Sequence, residues 1–235
     1  MNAPQEWVRA TRAALVPLAD PERAAPMVAY MKGVAPFLGV STPERRAALR
    51  TAWRALPELG PDEVADVATH LWDLPEREYQ YAACDLLAKR QRWLPSPFLA
   101  EPVQALLTTK PWWDTVDSLG TAVVTPLVAR DPALVELMWT WWNTGDRWLV
   151  RAAIQHQRGL KDRTDLARLL AMCDRYSAER EFFVAKAIGW ALRDAARWDP
   201  AAVRRFVDAH PDLSAVARRE AQRGLERNGR SGAVG

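Results

Sequence analysis

The chain has 235 residues, of which 49% are hydrophobic and 26% charged, a composition typical of a globular protein with a sizeable core. No apolar run approaches the roughly 20 residues of a membrane span, and the start, MNAPQEWVRATRAAL, lacks the apolar stretch of a signal peptide. The formal net charge is +3, and five of the 32 basic residues are lysine while the rest are arginine, the side chain that binds phosphate in a bidentate way.

The cysteine content is low and both cysteines fall in apolar helical patterns. Cys84 and Cys173 are therefore expected to be reduced thiols in the core of a cytoplasmic protein. We expect no membrane association.

Helical patterns dominate the chain from one end to the other. Apolar residues recur every three or four positions in DEVADVATHLWDL (62–74) and FVAKAIGWAL (183–192). Prolines follow polar residues that can cap a helix in STPE (41–44), RDPA (130–133) and WDPA (198–201). Only TAVVTPLVA (121–129) alternates like a strand, and it fits a helix start equally well. The sequence predicts an all-α protein.

Small residues recur in pairs at a regular interval. The motifs RAAL, YAAC, DSLG, RAAI, KAIG and EAQR begin 34 to 36 residues apart, at Arg46, Tyr81, Asp117, Arg151, Lys186 and Glu220. A period near 35 carried by helix pairs predicts an α-solenoid of about six HEAT-like repeats. We expect 1–227 to form a single domain and the tail 228–235, which has no apolar periodicity, to be disordered.

The first residues of these motifs form a column if the repeats stack in register. The column is polar and mostly basic, with Asp117 near its middle. A solvated helix face is one interpretation. The other is a concave basic groove for a rod-like polyanion, in which Arg46, Arg151 and Lys186 contact DNA.

The stretch TKPWWDTVDS (109–118) places an aromatic ring and a carboxylate together. Trp113 and Asp117 are four residues apart and share a helix face, whereas Trp112 points elsewhere and is expected to pack inward. Asp114 is interpreted as a first-turn acid that suits the helix dipole. Asp117 fits either a structural ion pair or a functional carboxylate in the column.

A second aromatic face lies in KAIGWALR (186–193). Lys186, Trp190 and Arg193 are spaced i, i+4 and i+7, so they align on one side of a helix. The ring is either packed beneath the stems of the basic side chains or part of a ligand-binding surface.

Several kinds of site have no support in the sequence. The three histidines have no metal-ligand spacing among themselves or with the cysteines. There is no glycine-rich phosphate loop and no serine or cysteine nucleophile motif. We expect no metal and no cofactor.

Five segments together resemble the AlkD family of DNA glycosylases, HEAT-like repeat proteins that excise alkylated purines. The resemblance is collinear over roughly 10–227 and rests on PMVAYMKGVAPFLGVSTPERR (26–46), LWDLPEREYQYAACDLL (71–87), TKPWWDTVDS (109–118), WLVRAAI (148–154) and EFFVAKAIGWALRD (181–194).

The resemblance implies a role for each matching residue. The catalytic aspartate of the family matches Asp117, and the two tryptophans that flank the lesion sugar match Trp113 and Trp190. The family's amino-terminal aromatic residue matches Tyr30. Its two DNA-contacting arginines match Arg151 and Arg193.

The implied activity is that of a monofunctional DNA glycosylase in base excision repair, hydrolysing the N-glycosidic bond of 3-methyladenine and 7-methylguanine in duplex DNA without base flipping. We expect the protein to be a monomer in the cytoplasm that associates with the nucleoid by binding DNA. One alternative is a non-catalytic HEAT-like module that binds damaged or branched DNA. Another is a protein-binding solenoid, which has no need for an acid between two tryptophans.

Overall fold

The computed structural model describes the backbone of residues 2–231 and the side chains of residues 2–227. The described backbone contains helices, turns and bends but no strand, so the prediction of an all-α fold is confirmed. The chain divides into two compact units, Met1–Val123 and Val124–Gly235. No helix in the described part of the chain is both long and apolar enough to cross a bilayer.

The described residues of the first unit form seven α-helices. They are α1 (Ala3–Leu15), α2 (Pro21–Tyr30), α3 (Thr42–Ala52), α4 (Pro61–Asp73), α5 (Arg77–Arg90), α6 (Val103–Thr108) and α7 (Trp113–Leu119). Helix α4 packs on α5, α6 packs on α7, and α5 also contacts α3 and α7. The core of this unit therefore lies between antiparallel neighbours joined by short turns.

Another seven α-helices lie in the part of the second unit that the structure describes. They are α8 (Thr125–Arg130), α9 (Val135–Asn143), α10 (Arg147–Gln155), α11 (Leu166–Arg175), α12 (Phe182–Ala195), α13 (Pro200–Ala209) and α14 (Ala215–Ser231). Helix α9 pairs with α10, α11 with α12 and α13 with α14, and α12 packs on both α10 and α14. Each unit is thus a stack of helix pairs, as expected for a solenoid-like fold.

The predicted repeat register agrees with these helices. The motifs that begin at Arg46, Tyr81 and Asp117 lie on α3, α5 and α7, which contact one another in that order in the first unit. The motifs of the second unit lie on α10, α12 and α14, which also contact in order. The concave basic groove stays a prediction.

The predicted helix starts are capped as the sequence indicates. Ser41 and Glu44 form a capping box at α3, and the Asp199 carboxylate accepts a hydrogen bond from the backbone N–H of Ala202 at α13. Asp131 instead caps a 3₁₀ turn, 132–134. The segment that resembled a strand is a π-helical turn, Gly120–Val124, followed by α8.

The final helix extends into the segment that was predicted to be a disordered tail. Helix α14 continues through Ser231, and 232–235 lie outside the described residues. The predicted single domain over 1–227 also stays a prediction.

Both cysteines are free and fully buried, as predicted. Burial is the largest cause of their raised pKa values and raises the pKa of Cys84 to about 12. Such thiols remain protonated near neutral pH and are poor nucleophiles.

We predict that acidification destabilises the fold through His156. Burial lowers the pKa of His156 to about 4, and its Nδ1 lies 2.6 Å from the Ala153 carbonyl oxygen. The unfolded histidine takes up a proton near pH 6.5, so from there down to about pH 4 the unfolded state binds more protons than the folded state. Stability should fall over this window by up to about 3 kcal/mol.

The test is urea unfolding of the wild type and of His156→Gln between pH 7 and pH 4. The variant cannot titrate at this position, so its stability should depend less steeply on pH over that range. Equal slopes for the two proteins would show that His156 does not contribute. His210, whose pKa is raised and which bonds Asp174, contributes with the opposite sign in both proteins and so cancels in the comparison.

Candidate functional site

Helix α7 presents a ring and a carboxylate on one side. The helix begins at Trp113, so Asp117 follows one turn later on the same face, as predicted. Both side chains are half-buried, while Thr115, Val116 and Leu119 turn into the core. Core packing therefore orients the helix so that this pair stays partly accessible.

Trp112 does not belong to α7. Its backbone is extended, with φ −153° and ψ 162°, and it stands at the N-cap position. Its side chain is half-buried, so the expectation that it packs inward is met only in part.

Tyr30 lies against Trp113. It is the last residue of α2, its side chain is 71% exposed, and the ring centroids of the two residues are 6.3 Å apart at an interplanar angle of 79°. This edge-to-face geometry is a favourable aromatic contact. The first unit thus brings together Tyr30 and Trp113, residues far apart in sequence.

Asp114 is a first-turn acid, but its partners are side chains on α5. Its two carboxylate oxygens accept hydrogen bonds from the Arg77 guanidinium at 2.6 and 3.1 Å. The Tyr81 hydroxyl donates to the same carboxylate at 2.5 Å. Burial, followed by the adjacent Asp114 charge, raises the pKa of Tyr81. This network, which no sequence pattern predicted, fixes the start of α7.

Arg46 lies on α3 and is 58% exposed. Its guanidinium pairs with Asp85 at 3.1 Å, and the same carboxylate pairs with the buried Arg45 at 3.2 Å. Arg46 takes no part in the contact between Tyr30 and Trp113. Its predicted role in DNA binding stays a prediction.

Trp190 stands among four cations in the second unit. The guanidinium carbons of Arg158, Arg151 and Arg193 lie 4.9, 5.2 and 5.7 Å from its ring centroid. The Lys186 ammonium lies at 5.9 Å. The predicted alignment of Lys186, Trp190 and Arg193 is therefore present, and Arg158 is a member that the sequence analysis missed. Each contact falls within the range of a cation–π interaction.

Glu220 on α14 binds three of the basic side chains of this unit. Its carboxylate pairs with Arg193 at 2.6 Å, with Lys186 at 3.0 Å and with Arg223 at 3.0 Å. Burial alone would raise the pKa of Glu220, but these cations together hold that pKa below its ordinary value. Lys186 and Glu220 are successive members of the predicted column, so this contact agrees with the repeat register.

The close packing of α12 on α14 depends on Gly189. A Cβ atom at this position would lie 2.8 Å from Cβ of Glu220 and 3.0 Å from Cα of Ala217. Only the absence of a side chain lets the two helices approach this closely. The approach brings Glu220 beneath the basic side chains of α12.

Arg151, which was predicted to contact DNA, is buried. Its side chain is 1% exposed and donates a hydrogen bond to the carbonyl oxygen of Phe183 at 2.6 Å. It lies on α10 against α12, which supplies both the Phe183 carbonyl oxygen and the Trp190 ring. In this structure Arg151 is an interior cation beside Trp190, and its predicted contact with DNA stays a prediction.

We predict that Glu220→Gln strengthens DNA binding while lowering stability. Removing one negative charge among three cations should raise DNA affinity by roughly fivefold at low salt, or about 1 kcal/mol. The thermal midpoint should fall, because the cations lose their shared partner. Fluorescence anisotropy with duplex DNA and thermal unfolding measure the two effects.

Glu226→Gln is the matched control, since it removes one charge from an exposed position on the same helix. If both variants gain affinity equally, the effect comes from net charge and not from the cations around Trp190.

The described residues contain no group of three or more His, Cys, Asp or Glu side chains placed to hold a metal ion.

Comparison with known proteins agrees with the folded architecture. A family model described as "DNA alkylation repair enzyme" matches residues 11–225. A solved structure described as a predicted DNA alkylation repair enzyme from Enterococcus faecalis is 30% identical, with a TM-score of 0.77, and the match covers 86% of this chain and 94% of that one. No curated protein sequence matches the chain significantly. The extent of the family match shows that this chain belongs to the DNA alkylation repair enzyme family.

Proposed function

We propose that the protein is a monofunctional DNA glycosylase that hydrolyses the N-glycosidic bond of cationic N3- and N7-alkylated purines in duplex DNA. Membership of a DNA alkylation repair family gives the role in alkylation repair and implies DNA binding. The observation that supports the finer assignment is the face of α7, where Trp113 and Asp117 lie one turn apart with Tyr30 against the ring.

The chemistry of the lesion suits a site of this composition. Alkylation at N3 or N7 puts a positive charge on the purine, so the base leaves with the bonding electron pair and becomes neutral. No general acid is needed to protonate it. The deoxyribose acquires oxocarbenium character, which a carboxylate stabilises. We assign that role to Asp117.

Water completes the reaction at the anomeric carbon. It forms the new bond to C1′ and gives up a proton, leaving a free base and an abasic site. Asp117 can orient this water or accept its proton. Trp113 and, by family resemblance, Trp190 are proposed to present aromatic faces to the cationic sugar and base.

The second unit offers charge for the phosphate backbone. Lys186 and Arg193 are each about a third exposed or less, at 28% and 31%, and Glu220 holds both side chains in place. Cations fixed in this way lose little conformational freedom when they bind phosphate. We propose Lys186 and Arg193 as phosphate contacts, with Tyr30 and Arg46 as further DNA contacts.

We further propose that the lesion stays stacked in the duplex and that the protein acts as a monomer on chromosomal DNA. An enzyme that does not enclose the base should also release purines with bulky N3 or N7 substituents. Many other glycosylases extrude the base into a tight pocket, which limits its size.

The direct test is a glycosylase assay of the purified wild type on a duplex that contains one 7-methylguanine. Release of the free base, with strand cleavage only after alkaline treatment, supports a monofunctional glycosylase. Tight binding without release would favour the non-catalytic module for damaged DNA. Absence of both binding and release would contradict each of these proposals.

A further inference from the structure

The first turn of α5 contacts both segments of the first unit that carry proposed site residues. One segment, 31–40, follows Tyr30 at the end of α2. The other, 109–115, leads into α7 and contains Trp113. Arg77 binds the second segment and Glu78 the first, although neither belongs to the residues proposed to meet DNA.

Glu78 fixes the loop that follows α2. Its carboxylate is fully buried and accepts hydrogen bonds from the backbone N–H groups of Leu38, Gly39 and Val40 at 2.9, 2.9 and 3.1 Å. The Leu38 carbonyl oxygen in turn accepts from the N–H of Asp20, the N-cap of α2, at 2.8 Å. A carboxylate with three backbone donors is a strong, directional anchor.

The loop can approach α2 this closely only because residue 39 is glycine. Gly39 has φ +87°, and a Cβ there would lie 2.1 Å from the carbonyl oxygen of Asp20. The contact between the loop and the start of α2 is therefore built into the backbone.

Helix α2 depends on this anchor because it has little core of its own. None of its ten side chains is buried. The segment 31–40 that Glu78 holds does contain buried side chains, Met31 and Phe37. The position of Tyr30 therefore follows from the position of that segment.

Arg77 fixes the other segment in the same way. Its guanidinium, 1% exposed, donates to Asp114, to the Thr115 hydroxyl at 2.9 Å and to the Lys110 carbonyl oxygen at 3.0 Å. Its backbone N–H donates to the carbonyl oxygen of Pro36 at 2.9 Å, in the segment that Glu78 holds. Two adjacent residues thus tie both segments to one helix turn.

We propose that Arg77 and Glu78 are positioning residues that set Tyr30 against Trp113 and thereby orient the face of α7 that carries Asp117. The effect on catalysis rests on the proposed glycosylase function. The effect on the geometry of Tyr30 and Trp113 does not rest on that function. The positioning role and the glycosylase function can therefore fail separately.

The test compares Arg77→Lys and Glu78→Gln with Thr11→Val. Thr11 is a buried residue of α1 that bonds the side chain of Trp53 and the backbone of Trp7, so its loss controls for general destabilisation. Each protein is labelled with 5-fluorotryptophan, and the Trp113 resonance is assigned by its disappearance in Trp113→Phe. Base release is measured in single turnovers at saturating enzyme, alongside DNA affinity.

We expect Arg77→Lys and Glu78→Gln to shift or broaden the Trp113 fluorine resonance and to slow base release by about tenfold or more, since small displacements of reacting groups are costly. DNA affinity should fall by a smaller factor than the rate, because Tyr30 is one of several proposed DNA contacts. Thr11→Val should lower the thermal midpoint while leaving both the Trp113 resonance and the rate unchanged.

The proposal is overturned if Arg77→Lys and Glu78→Gln both leave the Trp113 resonance where it is in the wild type. It is also overturned if these two variants release the base as fast as Thr11→Val does. Should Arg77→Lys fail to fold, Tyr81→Phe replaces it, because it removes one hydrogen bond to Asp114 and keeps the buried ion pair. If the wild type releases no base, the proposed function fails, and the fluorine resonance alone decides the positioning role.

Discussion

Replacing Asp117 with asparagine should nearly abolish release of 7-methylguanine while leaving DNA affinity almost unchanged. Asparagine keeps the shape of the side chain but removes its negative charge. A charge pair at about 4 Å in a medium of effective dielectric near 20 is worth on the order of 4 kcal/mol. Losing that stabilisation of an oxocarbenium-like sugar corresponds to roughly a thousandfold in rate.

The measurement is the single-turnover rate on a defined 7-methylguanine duplex, with DNA affinity determined by anisotropy. Thermal unfolding checks that Asp117→Asn is folded, since the other interpretation of this residue is a structural ion pair. Asp162→Asn serves as the matched control, because it removes one exposed carboxylate from a short 3₁₀ turn in the other unit. Equal rates for Asp117→Asn and wild type would contradict the catalytic assignment.

The fold could be predicted because its signals are local and periodic. The apolar spacing at 62–74 and 183–192 corresponds to α4 and α12, and the capping residues Ser41 and Asp199 mark the starts of α3 and α13. The motif interval near 35 residues placed equivalent residues on successive, contacting helices. The four-residue spacing that puts Trp113 and Asp117 on one helix face could also be predicted from the sequence.

The ion pairs that support the site could not be predicted from local periodicity, because they join residues about one repeat apart. Arg77 and Asp114 are separated by 37 positions, and Lys186 and Glu220 by 34. The repeat register contained a usable signal, since opposite charges at equivalent positions of neighbouring repeats can pair. The three backbone N–H groups that bind Glu78 left no sequence signal, since their geometry depends on the folded loop.

Burial was the other quantity that the sequence could not supply. Arg151 was interpreted as a DNA contact from its place in the repeat column and from the family resemblance, neither of which gives the burial of a side chain. The structure places it 1% exposed, with its charge satisfied in part by the Phe183 carbonyl oxygen and the Trp190 ring. The burial of a side chain follows from tertiary packing. A residue type predicts that burial only on average.

Arg151→Ala and Arg193→Ala should therefore have different consequences, although the sequence analysis treated the two arginines alike. Truncating the buried Arg151 leaves a cavity and removes its hydrogen bond to the Phe183 carbonyl oxygen, and we expect a loss of about 4 kcal/mol in the free energy of unfolding. Its direct effect on the salt dependence of DNA binding should be small. Chemical denaturation of the variant measures the first quantity.

Arg193→Ala should instead act mainly on DNA. Arg193 is partly exposed. When its side chain is truncated, Glu220 keeps Lys186 and Arg223 as partners, so the loss of stability should be modest. The slope of log affinity against log salt should become shallower by about one, as expected for one lost phosphate contact. If Arg151→Ala instead keeps its stability and flattens the salt dependence as Arg193→Ala does, then Arg151 must leave its buried position to reach the backbone. The pair of variants thus separates a cation that supports Trp190 from one that binds phosphate.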